Sequence, residues 1–84
     1  MNVVKEQIES EEVSRLRWKC RRGLLELDLV LESFLSNKFD TLSEEEREQF
    51  NLLLQESDNK LLSYVQGTAV PEELELKSIV NKML

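Results

Sequence analysis

Apolar positions recur at spacings of three and four along most of the chain, the period of helices with one buried face. Val13, Leu16 and Cys20 form the first such stripe. Ser10 stands where an N-cap is needed, and Glu11 and Glu12 follow it at the end where carboxylates meet the positive pole of the helix dipole. The spacing predicts a first helix after Ser10, preceded by a polar, fraying segment over residues 1–9. Gly23 marks the join to a second helix expected over about residues 23–36. Projected at 100° per residue, Leu24, Leu27, Val30, Leu31, Phe34 and Leu35 share its broad core face, with Gly23 at the edge.

The opposite side of that helix places Arg22, Leu25, Glu26 and Leu29 close together. Two leucines bracketed by an arginine and a glutamate are either a second buried contact or a docking face. The projection sends Leu24 inward and Arg22, Leu25 and Glu26 outward, so a docking surface there includes Leu29 and excludes Leu24.

Residues 37–42 read as a connection, after which Thr41 with Glu44 and Ser43 with Glu46 both fit a capping box. A third helix is therefore expected from about Glu44, with Phe50, Leu53 and Leu54 inward and Leu52 pointing elsewhere. Asp58 is placed to cap a short fourth helix carrying Leu61, Leu62 and Val65, with Tyr64 at its partly buried edge and Gly67 as its stop. Pro71 suits the first turn of a last helix, whose apolar face is Leu76, Ile79, Val80 and Met83. The expected fold is all-α: one domain over residues 1–84, a compact bundle of about five short helices.

Composition narrows the chemistry. There is no histidine and one cysteine, Cys20, so the commonest general base and metal ligand are missing, a disulfide within the chain is impossible, and Cys20 reads as a small buried hydrophobe. No metal site and no catalytic residues are expected. No apolar run reaches the roughly 20 residues that span a bilayer, and the opening residues lack the pattern of a signal peptide, so a cytoplasmic bacterial protein is expected.

A net charge of −6 opposes binding to nucleic acid. Yet Arg15, Arg17, Lys19, Arg21 and Arg22 fall within eight residues that hold no acid. With Trp18 among them the cluster could serve RNA by phosphate contacts and stacking; the overall acidity favours a solvated basic face with Trp18 filling core. If a helix runs through both Arg22 and Glu26, they can pair at i and i+4, for about 0.3–0.5 kcal/mol when exposed. Such a pair has either a structural role or an outward aim at a partner. Gly23 has no companion glycines to form a phosphate cradle, so a tight join or close helix approach is preferred.

The run RLRWKCRRGLLELD, from Arg15 to Asp28, resembles the succinate dehydrogenase assembly factor family known as SdhE or YgfY. Its RGxxE signature falls on Arg22, Gly23 and Glu26, preceded by Trp18 and followed by Asp28. The likeness continues through Phe34, the run Asp40-Thr41-Leu42-Ser43, the run from Asp58 to Leu62, Gly67 and Pro71. It departs in the fourth helix, where Leu62 and Tyr64 stand at expected Phe and Trp positions, and at the C-terminus, where the basic tail of some members is missing.

The resemblance implies a five-helix fold that binds the flavoprotein subunit of succinate dehydrogenase and promotes its covalent flavinylation. The fumarate reductase flavoprotein is a second candidate client. The flavin bond forms on the client's own histidine, so FAD is attached to the client and no tightly bound cofactor is expected here. Arg22, Gly23 and Glu26 are the positions it makes functional. Leu25 and Leu29 are added as an apolar anchor, and Arg15 and Lys19 as steering charges toward an acidic client surface. The alternative is an antitoxin-like interaction module opposing a membrane-associated toxin.

Overall fold

The computed structural model describes residues 10–84; the fraying expected for residues 1–9 lies outside them. Five helices follow in order: α1 Glu11–Lys19, α2 Leu25–Lys38, α3 Glu44–Leu53, α4 Asp58–Gln66 and α5 Leu74–Met83. A single 3-10 turn, Phe39–Thr41, joins α2 to α3. The all-α expectation holds throughout the described residues.

Local chemistry accounts for most of the boundaries. The Ser10 hydroxyl accepts from the Val13 amide at 3.1 Å and opens α1. Ser43 and Glu46 complete a reciprocal capping box at α3, with bonds of 3.1 and 2.9 Å. Thr41 takes no part in a box; its hydroxyl donates to the Lys38 carbonyl. Gly67, at φ +79°, ends α4 in the left-handed conformation that glycine adopts without steric penalty.

Four boundaries differ from those expected. α2 starts at Leu25, because Gly23 has φ +83° and lies outside the helix; it also runs on to Lys38, two residues past Ser36. Ser57 caps α4 by accepting from the Lys60 amide, and Asp58 is the first helical residue. α5 begins at Leu74 with Glu73 as N-cap, so Pro71 sits before the helix, buried in the connection. Residues 37–42 are not a plain loop, since Phe39 and Leu42 belong to the core.

α2 is the central element, packing against α1, α4 and α5, while α3 lies along α5. Leu27, Leu31, Phe50, Leu53, Leu61 and Ile79 are fully buried between them. Three aromatic rings meet at the centre, Phe50 lying 5.1 Å from Phe34 and 6.4 Å from Phe39 in tilted arrangements. Tyr64 is buried more deeply than the edge position expected of it. Trp18 corrects the sequence reading most sharply: it is 71% exposed. It lies about 200° around the axis from Leu16, so a helix that buries Leu16 and Cys20 must present Trp18 to solvent.

Two predictions test this packing. Phe50→Ala removes the ring at the aromatic centre and should destabilise the fold by about 3–5 kcal/mol, read as a fall in the urea midpoint. An unchanged midpoint would mean that the three rings are not the core. The second concerns Glu46, which also meets Lys82 of α5 at 2.6 Å. The hydrogen bond from Lys82, and then that from the Ser43 amide, hold the Glu46 carboxyl below its ordinary value of 4.5. A depressed folded value stabilises the fold above the unfolded value, and that contribution is lost as pH falls through the folded one. The urea-midpoint gap between wild type and Glu46→Gln should be full at pH 7 and close below the usual carboxylate range.

Candidate functional site

The site is a turn held from behind. After α1 ends at Lys19, Cys20 points into the core, and the chain must reverse into α2 within a few residues. Gly23 makes this possible through its positive φ. Leu24, the N-cap of α2, has no side-chain acceptor to offer. Asp28 supplies acceptors from within the helix instead. One carboxylate oxygen accepts from the Arg22 amide at 2.9 Å and the other from the Gly23 amide at 3.0 Å. Both peptide units of the turn are thereby fixed by one side chain near the positive end of α2.

Arg22 does the same for the rest of the bundle. Its Nε donates to Asp58 at 3.0 Å, Nη1 to the carbonyls of Lys19 at 3.0 Å and Leu54 at 2.9 Å, and Nη2 to the carbonyl of Glu56 at 2.7 Å. Lys19 ends α1, Leu54 caps α3, Glu56 lies in the following connection and Asp58 opens α4. Helix C-termini leave carbonyls without intrahelical partners, and this guanidinium satisfies them at two helices at once. The outward Arg22 of the sequence reading is thus corrected: its side chain is 13% exposed. The anticipated Arg22–Glu26 pair does not form, because Arg22 precedes the helix and its donors go to Asp58 and three carbonyls.

What faces solvent is the other half of the motif. Gly23 and Glu26 are exposed, as are Leu25 (76%) and Leu29 (60%). Leu24, by contrast, packs against the core as expected. A Cβ added at Gly23 would meet no atom within 4 Å, so the turn presents open backbone rather than a filled niche. The Glu26 carboxylate accepts from Gln66 Nε2 of α4 at 3.2 Å. Beyond Leu29 the edge runs into a shallow groove of about 290 Å³, bordered by Val30, Ser33 and Asn37 of α2 and Met83 of α5.

Arg15 and Lys19 lie on α1 and do not converge on Glu26. Arg15 pairs with Glu11 at 3.4 Å, and Lys19 donates to Asn51 Oδ1 of α3 at 2.9 Å. Cys20 is buried, and burial above all, with Glu32 next, pushes its thiol up to about 12. It remains a neutral thiol at physiological pH and is no nucleophile. No group of metal-ligating side chains occurs among the described residues.

Asp28 and Asp58 are the positioning residues that sequence reasoning missed. An acid in the first turn of a helix that lacks a capping side chain was a usable signal for Asp28. Nothing local links Asp58 to Arg22, 36 residues away.

Arg22→Lys keeps the charge but loses the planar fork that reaches several acceptors together. It should cost at least about 1.5 kcal/mol of stability, because partly buried acceptors lose charged donors. Urea unfolding of the variant checks this; a midpoint equal to wild type would show that the clamp is not needed.

Comparison with known proteins places the chain in a family. The family model Sdh5, described as "Flavinator of succinate dehydrogenase", matches residues 14–84. Among curated relatives, the FAD assembly factor SdhE of Coxiella burnetii is 46% identical over 69 residues, covering 82% of this chain and 84% of that one. The protein of the same name from Legionella pneumophila is 46% identical over 74 residues, covering 88% and 92%. That of Vibrio cholerae is 40% identical over 75 residues, covering 89% and 87%. The chain belongs to the Sdh5 family, the FAD assembly factors called SdhE.

Proposed function

We propose that this protein promotes covalent attachment of FAD to the flavoprotein subunit of succinate dehydrogenase, using the edge formed by Gly23, Leu25, Glu26 and Leu29 as its docking surface. One observation carries the proposal: the matched motif forms an exposed turn with no side chain over it, braced by Arg22 and Asp28. A bare glycine lets a partner backbone approach closely. Glu26 offers a carboxylate for charge-assisted bonds, and Leu25 with Leu29 offers apolar anchors. Arg22 acts through the turn, keeping Gly23 and Glu26 in register before the client arrives, which reduces the ordering cost of binding.

The factor works by binding. A partner that holds the client in its reactive conformation raises the population of that conformation by its differential affinity, with no catalytic group of its own. The inert Cys20 and the lack of histidine support this division of labour. FAD stays with the client, whose own side chain forms the flavin bond. The fumarate reductase flavoprotein is a second client. The proposed clients imply a cytoplasmic site of action; among the described residues no helix is long and apolar enough to cross a membrane.

Flavinylation of purified client apoprotein with FAD, followed by in-gel flavin fluorescence, tests the proposal. Glu26→Ala should lower the yield at limiting factor concentration by about tenfold, the loss of one interfacial charge-assisted bond. Gly23→Arg, which fills the open face of the turn, should abolish promotion. Equal flavinylation by wild type and both variants would refute the docking edge.

A further inference from the structure

We propose that Trp18 and Arg21 form a second contact point on the client flavoprotein, one that receives a carboxylate-bearing segment of its surface. This inference rests on the client assigned under Proposed function. Trp18 is the chain's one tryptophan, yet it is 71% exposed on the face of α1 turned away from the core. Large aromatic surface left in water on a small domain is a feature of binding sites, where tryptophan and arginine are enriched among the residues that dominate affinity.

The surroundings of Trp18 say what it would bind. The Arg21 guanidinium lies 5.2 Å from the centre of the indole ring, and with Ser14 and Arg17 the two residues line a recess of about 140 Å³. Stacking holds the guanidinium plane while leaving its edge N–H groups free to donate to a planar acceptor. Those donors are uncommitted: Arg15, Arg17 and Arg22 each meet a carboxylate of this chain, whereas Arg21 has no carboxylate partner among the described residues. Arg47 makes the structural counterpart, stacking 4.5 Å over the buried Phe39 ring within the fold. Trp18 and Arg21 make the same pairing in solvent.

Charge selects the occupant. No acidic residue occurs between Glu12 and Glu26, and although Glu32 of α2 pairs with Arg17 at the recess, Arg21 is left there as a cation for an incoming carboxylate. The chain as a whole carries −6, which repels a polyanion such as RNA while leaving a local basic recess open to an acidic loop of a folded protein. Arg21 directly precedes the Arg22-Gly23 turn, so one client surface can engage both. The basic segment then does more than steer; it holds the client at an aromatic and cationic anchor.

The single tryptophan permits a direct test. Protein labelled with 5-fluorotryptophan gives one ¹⁹F resonance, which is titrated with unlabelled client apoflavoprotein. The expected result is loss of the H₂O/D₂O solvent shift on binding. Trp18→Ala, at an exposed position that spares the fold, should weaken the complex about thirtyfold, and Arg21→Glu should weaken it and flatten its salt dependence. Client binding with an unchanged resonance and wild-type affinity for both variants would overturn this contact while leaving the Gly23 edge standing. Absence of any complex with wild type would overturn both. A resonance that responds to RNA, or to the protein's own concentration, and not to client would overturn it as well.

Discussion

The guanidinium of Arg22 is the interaction on which the arrangement depends. Five helices this short leave many terminal carbonyls without intrahelical partners. One arginine joins the end of α1, the end of α3 and the start of α4 through four hydrogen bonds. Its backbone amide is held by Asp28 of α2. Four helices thus meet at a residue that also belongs to the exposed turn. The aromatic cluster of Phe34, Phe39 and Phe50 supplies burial, but burial is non-directional, and the clamp gives the helix ends their register.

This divides the RGxxE motif by role. Arg22 turns inward and positions; Gly23 and Glu26 face out beside Leu25 and Leu29 and are available for contact. The left-handed backbone at Gly23 follows from the sharp reversal between two helices, and the bare surface it leaves follows from the same absence of a Cβ. One residue therefore meets a folding requirement and, in the proposed docking edge, a binding requirement together. A rigid turn on a braced scaffold suits the proposed task of holding a client in a reactive shape, because little ordering remains to be done on contact.

The sequence made much of this legible, and the exceptions have physical causes. Ser10, Ser43 with Glu46, and Gly67 act locally, so caps and stops were readable from neighbouring residues. The outward position of Leu25 and Leu29 followed from periodicity. The start of α2 did not, because an apolar run across Gly23 looks continuous until the reversal required by tertiary packing forces a positive φ there. An outward Arg22 presumes a helix through it, whereas three of its four acceptors lie 32 to 36 residues away in the chain. Residue type puts Trp18 in the core, although the angle separating it from Leu16 puts it in solvent.

The division of roles within the motif is most directly tested by NMR of the Arg22 side chain in the free protein and in complex with client flavoprotein. A slowly exchanging Nε–H signal that is present in the free state and keeps its chemical shift in the complex, while the Gly23 amide and Glu26 side chain shift, is the expected result. An Arg22 signal that exchanges freely before binding, or moves to a new environment when the client is added, would contradict it.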